Sequence, residues 1–367
     1  MFERGGLNMV KVTPKENWMK FVGGGTPEYI PYYAMMGDEY LGESAVKGVM
    51  ANIFPSNMWE DGGYDMWGVR QVAAYGTNNA TMPDVRNILL PEIDQWKEKV
   101  KFPEKPATTP DYKKMYDDSI KMFKIDRSQS AVHAGPNFMP FQELVGMMGF
   151  ENGLIALVED PDTVSEMLNA MLDLLEPYYN EYIDVFKPDL WSMGDDICSK
   201  QAPFVSVETY RKVFKPIYER MAKPANDRGI PIMFHNCGHI LPILGDMVDF
   251  GVAVTDPFEP SNEILKTKEK YKGKLSFSCA PWWHEWMPAN YPEYDEEELR
   301  QHVRDYIDQY APGGAFAFYA WPLSYFGDPV IEEVKLIIRD EAHWYGREYM
   351  GYKADGERKP FHLPNKS

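Results

Sequence analysis

His235 and Cys237 stand two residues apart in the stretch 231–239, where an apolar run ends in His235, Asn236, Cys237, Gly238 and His239. On an extended segment residues i and i+2 point the same way, so the imidazole and the thiol converge on one spot. One borderline nitrogen and one soft sulfur suit zinc. A catalytic zinc has three protein ligands and an open position, whereas a structural site is closed by four. Cys279 ends the strand-like segment 274–279 just before Pro281 and is the expected third ligand. The competing account of the pair is a His and a Cys buried at a strand end as packing.

Asp195 and Asp196 follow the strand-like segment 190–193. Carboxylates there can orient a substrate, donate a proton to a leaving oxygen or add metal ligands; the plainer role is capping the next helix. His133 closes an earlier short strand, where it either contacts substrate or is hydrogen-bonded in place. His239 lies beyond the Gly238 turn and reads as a loop residue, and Glu259 reads as a supporting group. Trp282, Trp283 and Trp286, close after Cys279, form either an aromatic wall near the metal or loop packing.

The elements that must position these residues alternate. Thr13, Pro14 and Glu16 spell a capping box with proline at the first helical position, so a helix should run from there to about Val22 and stop at Gly23. The segment 27–35 is extended, and 37–103 is irregular and rich in Gly, Asn and aromatics. From Asp111 onward, helices at 112–123, 141–148, 161–186, 210–227, 261–271, 296–310 and 330–345 alternate with strands at 131–134, 190–193, 231–234, 248–255, 275–279 and 315–319. Such repetition implies an α/β fold. The reactive residues gather at strand C-termini, which is the habit of a (β/α)8 TIM barrel. A doubly wound sheet is the runner-up, but the chain has no Gly-rich phosphate fingerprint. The expected division is an N-terminal helical and irregular extension packed on the barrel over 1–110, the barrel over 111–350 and a tail over 351–367.

Composition bounds the function. The 367 residues carry a formal net charge of -18, which disfavours nucleic acid and anionic membrane surfaces as partners. No stretch has the roughly 18 apolar residues of a membrane span, and the first twelve residues lack the apolar core of a secretory signal. The cytoplasm is the expected location. Three widely spaced cysteines, Cys198, Cys237 and Cys279, do not form a disulfide framework and leave thiols available as ligands. Ten Trp and twenty-three Tyr supply core packing and can line a pocket for a flat ligand.

Several segments, in order, resemble the uroporphyrinogen decarboxylase-like superfamily: 13–17, 27–31, Gly194 to Asp196, 203–206, 214–218, 228–231, His235 to Gly238 and 311–314. The likeness covers nearly the whole chain. It is closer to the corrinoid-dependent methyltransferases than to the decarboxylase, whose Arg-rich N-terminal motif has no counterpart here. Within that branch an H-x-C pair holds zinc, which the resemblance assigns to His235 and Cys237. Relatives acting on a thiol cofactor bring a third ligand, Cys, near the last barrel strand. The matching segment 313–319 has none, so Cys279 or an acidic side chain takes that place. The resemblance then implies an O-demethylase component, a zinc-dependent methyltransferase that takes the methyl group of an ether, aromatic O-methyl above all, to the cob(I)alamin of a separate corrinoid protein in anaerobic metabolism. The implied partners are that corrinoid protein and a small-molecule methyl donor; a homodimer is compatible with the sequence. The rival readings are a metal-free decarboxylase using Asp195 or Asp196, a methylcobamide:thiol methyltransferase, and a binding protein for a corrinoid or aromatic ligand.

Overall fold

Eight short parallel strands organise the chain: β1 (Tyr32–Tyr33), β2 (Val46–Gly48), β3 (Ala131–Ala134), β4 (Leu190–Gly194), β5 (Ile232–His235), β6 (Val252–Phe258), β7 (Ser276–Cys279) and β8 (Phe316–Tyr319). Each pairs with its neighbour in chain order from β2 to β8, and β8 pairs with β1. The sheet is therefore a nearly closed barrel, and helices surround it as in the expected TIM barrel. The computed structural model describes residues 8–33, 44–54, 57–59, 62–77, 80–280 and 283–353.

The strands alternate between two cores, as the period of two demands. Inward positions Val46, Ala131, Leu190, Met233, Val254 and Ala317 form the inner core, while Val132, Trp191, Phe234, Phe277 and Phe318 face the helices. The helix Pro14–Phe21 closes the N-terminal end of the barrel. Its capping box forms as expected, with the Thr13 hydroxyl accepting from Glu16 N–H and the Glu16 carboxylate accepting from Thr13 N–H. Trp18 and Phe21 on this helix are fully buried in the inner core, each burial worth roughly 1.5–3 kcal/mol.

Two barrel strands come from the stretch expected to be an extension. β1 falls within the extended segment 27–35, but β2 lies where only irregular chain is expected. Strands of two or three residues carry too little alternation to be read from sequence. The true elaboration lies between β2 and β3: an antiparallel sheet of Asn57–Trp59, Gly62–Tyr64, Arg70–Ala73 and Thr81–Pro83, then the helix Tyr112–Met122. Of the expected tail, Tyr352–Lys353 pairs with Asn8–Met9, and 354–367 lies outside the described residues. Among the described residues no helix is long and apolar enough to cross a membrane.

Candidate metal centre at the mouth of the barrel

His235 ends β5 opposite Asp256 of β6 in the strand register. Its Nδ1 lies 3.1 Å from Asp256 Oδ2, and Asp256 is 1% exposed. A carboxylate accepts, so Nδ1–H donates and Nε2 is the nitrogen that faces Cys237 and Asp196. Nε2 is 3.7 Å from Cys237 Sγ and 3.8 Å from Asp196 Oδ1. Asp196 is itself held: Oδ1 accepts from Cys237 N–H at 3.0 Å, and Oδ2 accepts from Gln142 Nε2 at 2.9 Å.

The chain turns sharply after Cys237 because Gly238 has φ +89°, where an added Cβ would come 2.4 Å from the Ser199 carbonyl oxygen. Only glycine fits that turn. Gly238 N–H donates to Glu259 Oε1 at 2.7 Å, and His239 Nδ1–H donates to the Ser261 carbonyl at 2.9 Å. Glu259 and His239 thus fix the loop that carries the thiol.

Nε2 of His235, Sγ of Cys237 and a carboxylate oxygen of Asp196 all lie within 4.8 Å of one another. It is the one such group of three among the described residues. Tetrahedral zinc with bonds of 2.0–2.3 Å sets its ligand atoms about 3.3–3.8 Å apart, so the 3.7 and 3.8 Å separations fit the ion with little movement. One nitrogen, one sulfur and one oxygen also leave a fourth position for a substrate atom. Side-chain exposures of 26% for His235 and 37% for Asp196 keep that position reachable from the mouth.

The charges agree with a cation site. Burial pushes the Cys237 thiol up to about 11, against the pull of His235. Burial also opposes charge on His235, but the bonds to Asp256 and Cys237 and the charge of Asp196 outweigh it and hold its pKa well above the usual value. A cation between them would displace the thiol proton and the proton on His235 Nε2.

Cys279 is not brought to this cluster. It shares an outward face of β7 with Phe277, and its thiol donates to the Phe277 carbonyl at 3.6 Å in the layer between barrel and helices. Ser276 and Ser278 hold the alternate positions. Its pKa lies well above the usual thiol range, chiefly through burial. The acidic alternative, Asp196, occupies the third corner. Asp195 points elsewhere: it is fully buried and accepts from Phe141 N–H at 2.6 Å, Gln142 N–H at 3.1 Å and Tyr218 Oη at 2.8 Å. It caps the helix Pro140–Met148 after β3, which carries Gln142 to Asp196. Asp256 and Gln142 are the supporting residues that sequence reasoning left without a role. Asp256 directly follows the strand-like segment 248–255, a position that could have marked it; nothing local marks Gln142. Trp286 is core packing, with its ring centroid 4.4 Å from that of His302 and 5.5 Å from that of Phe318. Trp282 lies outside the described residues.

Three carboxyl groups near the mouth keep their protons to unusually high pH. Burial raises Asp195 to about 7 and Glu259 to about 7, and burial with the Asp65 charge raises Glu143 to about 8. The unfolded chain releases these protons near pH 4. Between pH 5 and 8 the folded chain therefore binds more protons than the unfolded one, and stability falls as pH rises. The melting temperature of metal-free protein should decline across that window, and less steeply in Glu143→Gln. A melting temperature that climbs from pH 5 to 8 would contradict these assignments.

Residues 76–275 match the protein family described as uroporphyrinogen decarboxylase (URO-D). No curated protein matches the chain in sequence. Among solved structures, a methyltransferase from Methanosarcina mazei superposes with a TM-score of 0.53 at 11% identity, over 91% of this chain and 100% of its own. Dispersin B aligns with a TM-score of 0.32 at 11% identity, over 63% of this chain and 75% of its own. The first likeness is one of fold.

Proposed function

Since the chain belongs to the uroporphyrinogen decarboxylase (URO-D) family, we propose that it is a methyltransferase of that fold, which cleaves a methyl ether, aromatic O-methyl above all, and passes the methyl group to the cob(I)alamin of a separate corrinoid protein. The observation that carries this reading is the convergence of Asp196, His235 and Cys237 at the barrel mouth, with one nitrogen of His235 committed to Asp256. A methyl ether is a poor electrophile because its leaving group is an alkoxide or phenoxide. Zinc held by Asp196, His235 and Cys237 would supply the Lewis acidity that lowers the energy of the negative charge growing on the ether oxygen. The residues around it do the positioning. Asp256 fixes the tautomer and ring orientation of His235, Gln142 and Cys237 N–H orient Asp196, and Glu259 pins the turn after the thiol. The ether oxygen keeps the bonding pair, and the methyl group goes to the partner's cobalt, so the mouth must admit a corrinoid carrier.

The test is spectroscopic. Zinc-loaded protein, cob(I)alamin and an aromatic methyl ether such as anisole should convert the cob(I)alamin spectrum to that of methylcobalamin, with release of the phenol. No conversion with any aryl methyl ether, together with carbon dioxide release from uroporphyrinogen by the same metal-free protein, would put the decarboxylase reading in its place.

A further inference from the structure

His133 lies on an inward position of β3, in phase with Ala131 of the inner core and out of phase with Val132 and Ala134. Its neighbour on β2 is Gly48, where an added Cβ would stand 2.8 Å from His133 Nε2. On the other side β4 turns Ser192 and Gly194 inward, and a Cβ on Gly194 would stand 3.1 Å from the Cβ of His235. Gly48 thus makes room for the His133 ring, and Gly194 for the His235 side chain. Gly48, His133, Ser192 and Gly194 all keep partial exposure, although they point toward the barrel axis. Solvent therefore reaches His133 inside the barrel. His133 makes no side-chain hydrogen bond among the described residues, and its ring nitrogens are not among the buried polar atoms left without a partner, so they stay open to solvent. Burial holds its pKa near 4, so the ring is neutral and offers one donor and one acceptor.

Among the described residues, the other inward side chains at this end include Tyr33, Ser192, His235, Asp256, Ser278 and Tyr319. None is Lys or Arg, and Asp256 has a buried Oδ1 without a partner. A carboxylate or phosphate beside His133 could only accept from the ring, and the one positive side chain at this end, His235, is already paired with Asp256. A hydroxyl would meet a ring able both to donate to it and to accept from it.

We propose that His133 is a specificity-determining residue, lying at the bottom of this recess and hydrogen-bonding an uncharged hydroxyl at the end of the methyl donor remote from the ether. The class of substrate is then a hydroxylated methyl ether, favoured over an anionic one. This rests on the methyl-ether reading, but its test needs no turnover.

With no cob(I)alamin present, calorimetric titration of zinc-loaded protein would compare 4-methoxyphenol, 4-methoxytoluene and 4-methoxybenzoate. The phenol should bind about tenfold more tightly than the toluene, and the benzoate more weakly than either. His133→Leu should erase the phenol's advantage and leave toluene binding unchanged. His133→Asn, which still donates and accepts, should restore most of it. Gly48→Ala, which pushes a methyl group onto the ring, should weaken all three, with circular dichroism confirming the fold of each variant. Benzoate binding as tightly as the phenol, equal phenol binding in His133→Leu, or no binding of any probe by folded wild type would each overturn the proposal. Failure of methyl transfer with the phenol's advantage intact would instead count against the methyltransferase reading alone.

Discussion

Cys237→Ser protein is expected to lose methyl transfer by a factor of 10³ or more while keeping its fold. The thiol is half-buried at a turn, so the substitution removes little apolar packing. What changes is the donor set. A serine hydroxyl is not deprotonated at neutral pH and is a poor zinc ligand, which leaves only His235 and Asp196. Losing one of three ligands also loses the Lewis acidity that offsets an alkoxide leaving group, a term worth several kcal/mol. The check is a steady-state assay of cob(I)alamin methylation with zinc in excess, beside a thermal melt. A variant within tenfold of wild-type turnover would show that Cys237 is not part of the centre. Cys279→Ser, made in the layer outside the barrel, should instead leave turnover unchanged and lower stability modestly, as its thiol packs among Phe277, Phe318 and Tyr306.

The second large effect concerns folding. Asp195→Ala should destabilise the protein by about 3–5 kcal/mol, the range for breaking a buried charged or hydrogen-bonded group. Its carboxylate gathers three donors from two elements: the first turn of Pro140–Met148 and Tyr218 of the helix Lys215–Asn226. Alanine would leave two backbone N–H groups and a phenol buried without acceptors. Urea denaturation would read the loss as a lower midpoint at constant slope. Because the same helix brings Gln142 to Asp196, the variant should also bind metal less tightly, which zinc titration of folded protein would detect. A change below 1 kcal/mol would contradict the capping role.

The long elements were legible from the chain. The 26-residue helix Pro161–Phe186 shows apolar residues at helical spacing, and the last six barrel strands fall where apolar runs end in polar residues. β2 was not legible, since three residues show no period, and neither was the antiparallel sheet among the glycines and asparagines of 57–83. At the site, the two-residue spacing of His235 and Cys237 sufficed to predict their convergence, because local backbone geometry sets it. The third corner depends on contacts across strands. Asp196 and Asp195 are neighbours in sequence, yet one faces His235 and the other a helix terminus. A carboxylate pair at a strand end signals that something is held there, but only the fold decides which member reaches the mouth. For Cys279 the signal was strand parity: Ser276 and Ser278 take one face of β7 and Phe277 and Cys279 the other. Knowing which face is inward required the neighbouring strands.

The most direct measurement is zinc per chain in purified protein, by atomic emission after dialysis, for wild type, Asp196→Asn, Cys237→Ser and Cys279→Ser. The centre described here predicts near one zinc in wild type and in Cys279→Ser, with marked loss in Cys237→Ser and Asp196→Asn. A wild type that takes up no zinc when it is supplied, or a Cys279→Ser protein that loses its zinc while Asp196→Asn retains it, would contradict the Asp196, His235 and Cys237 centre.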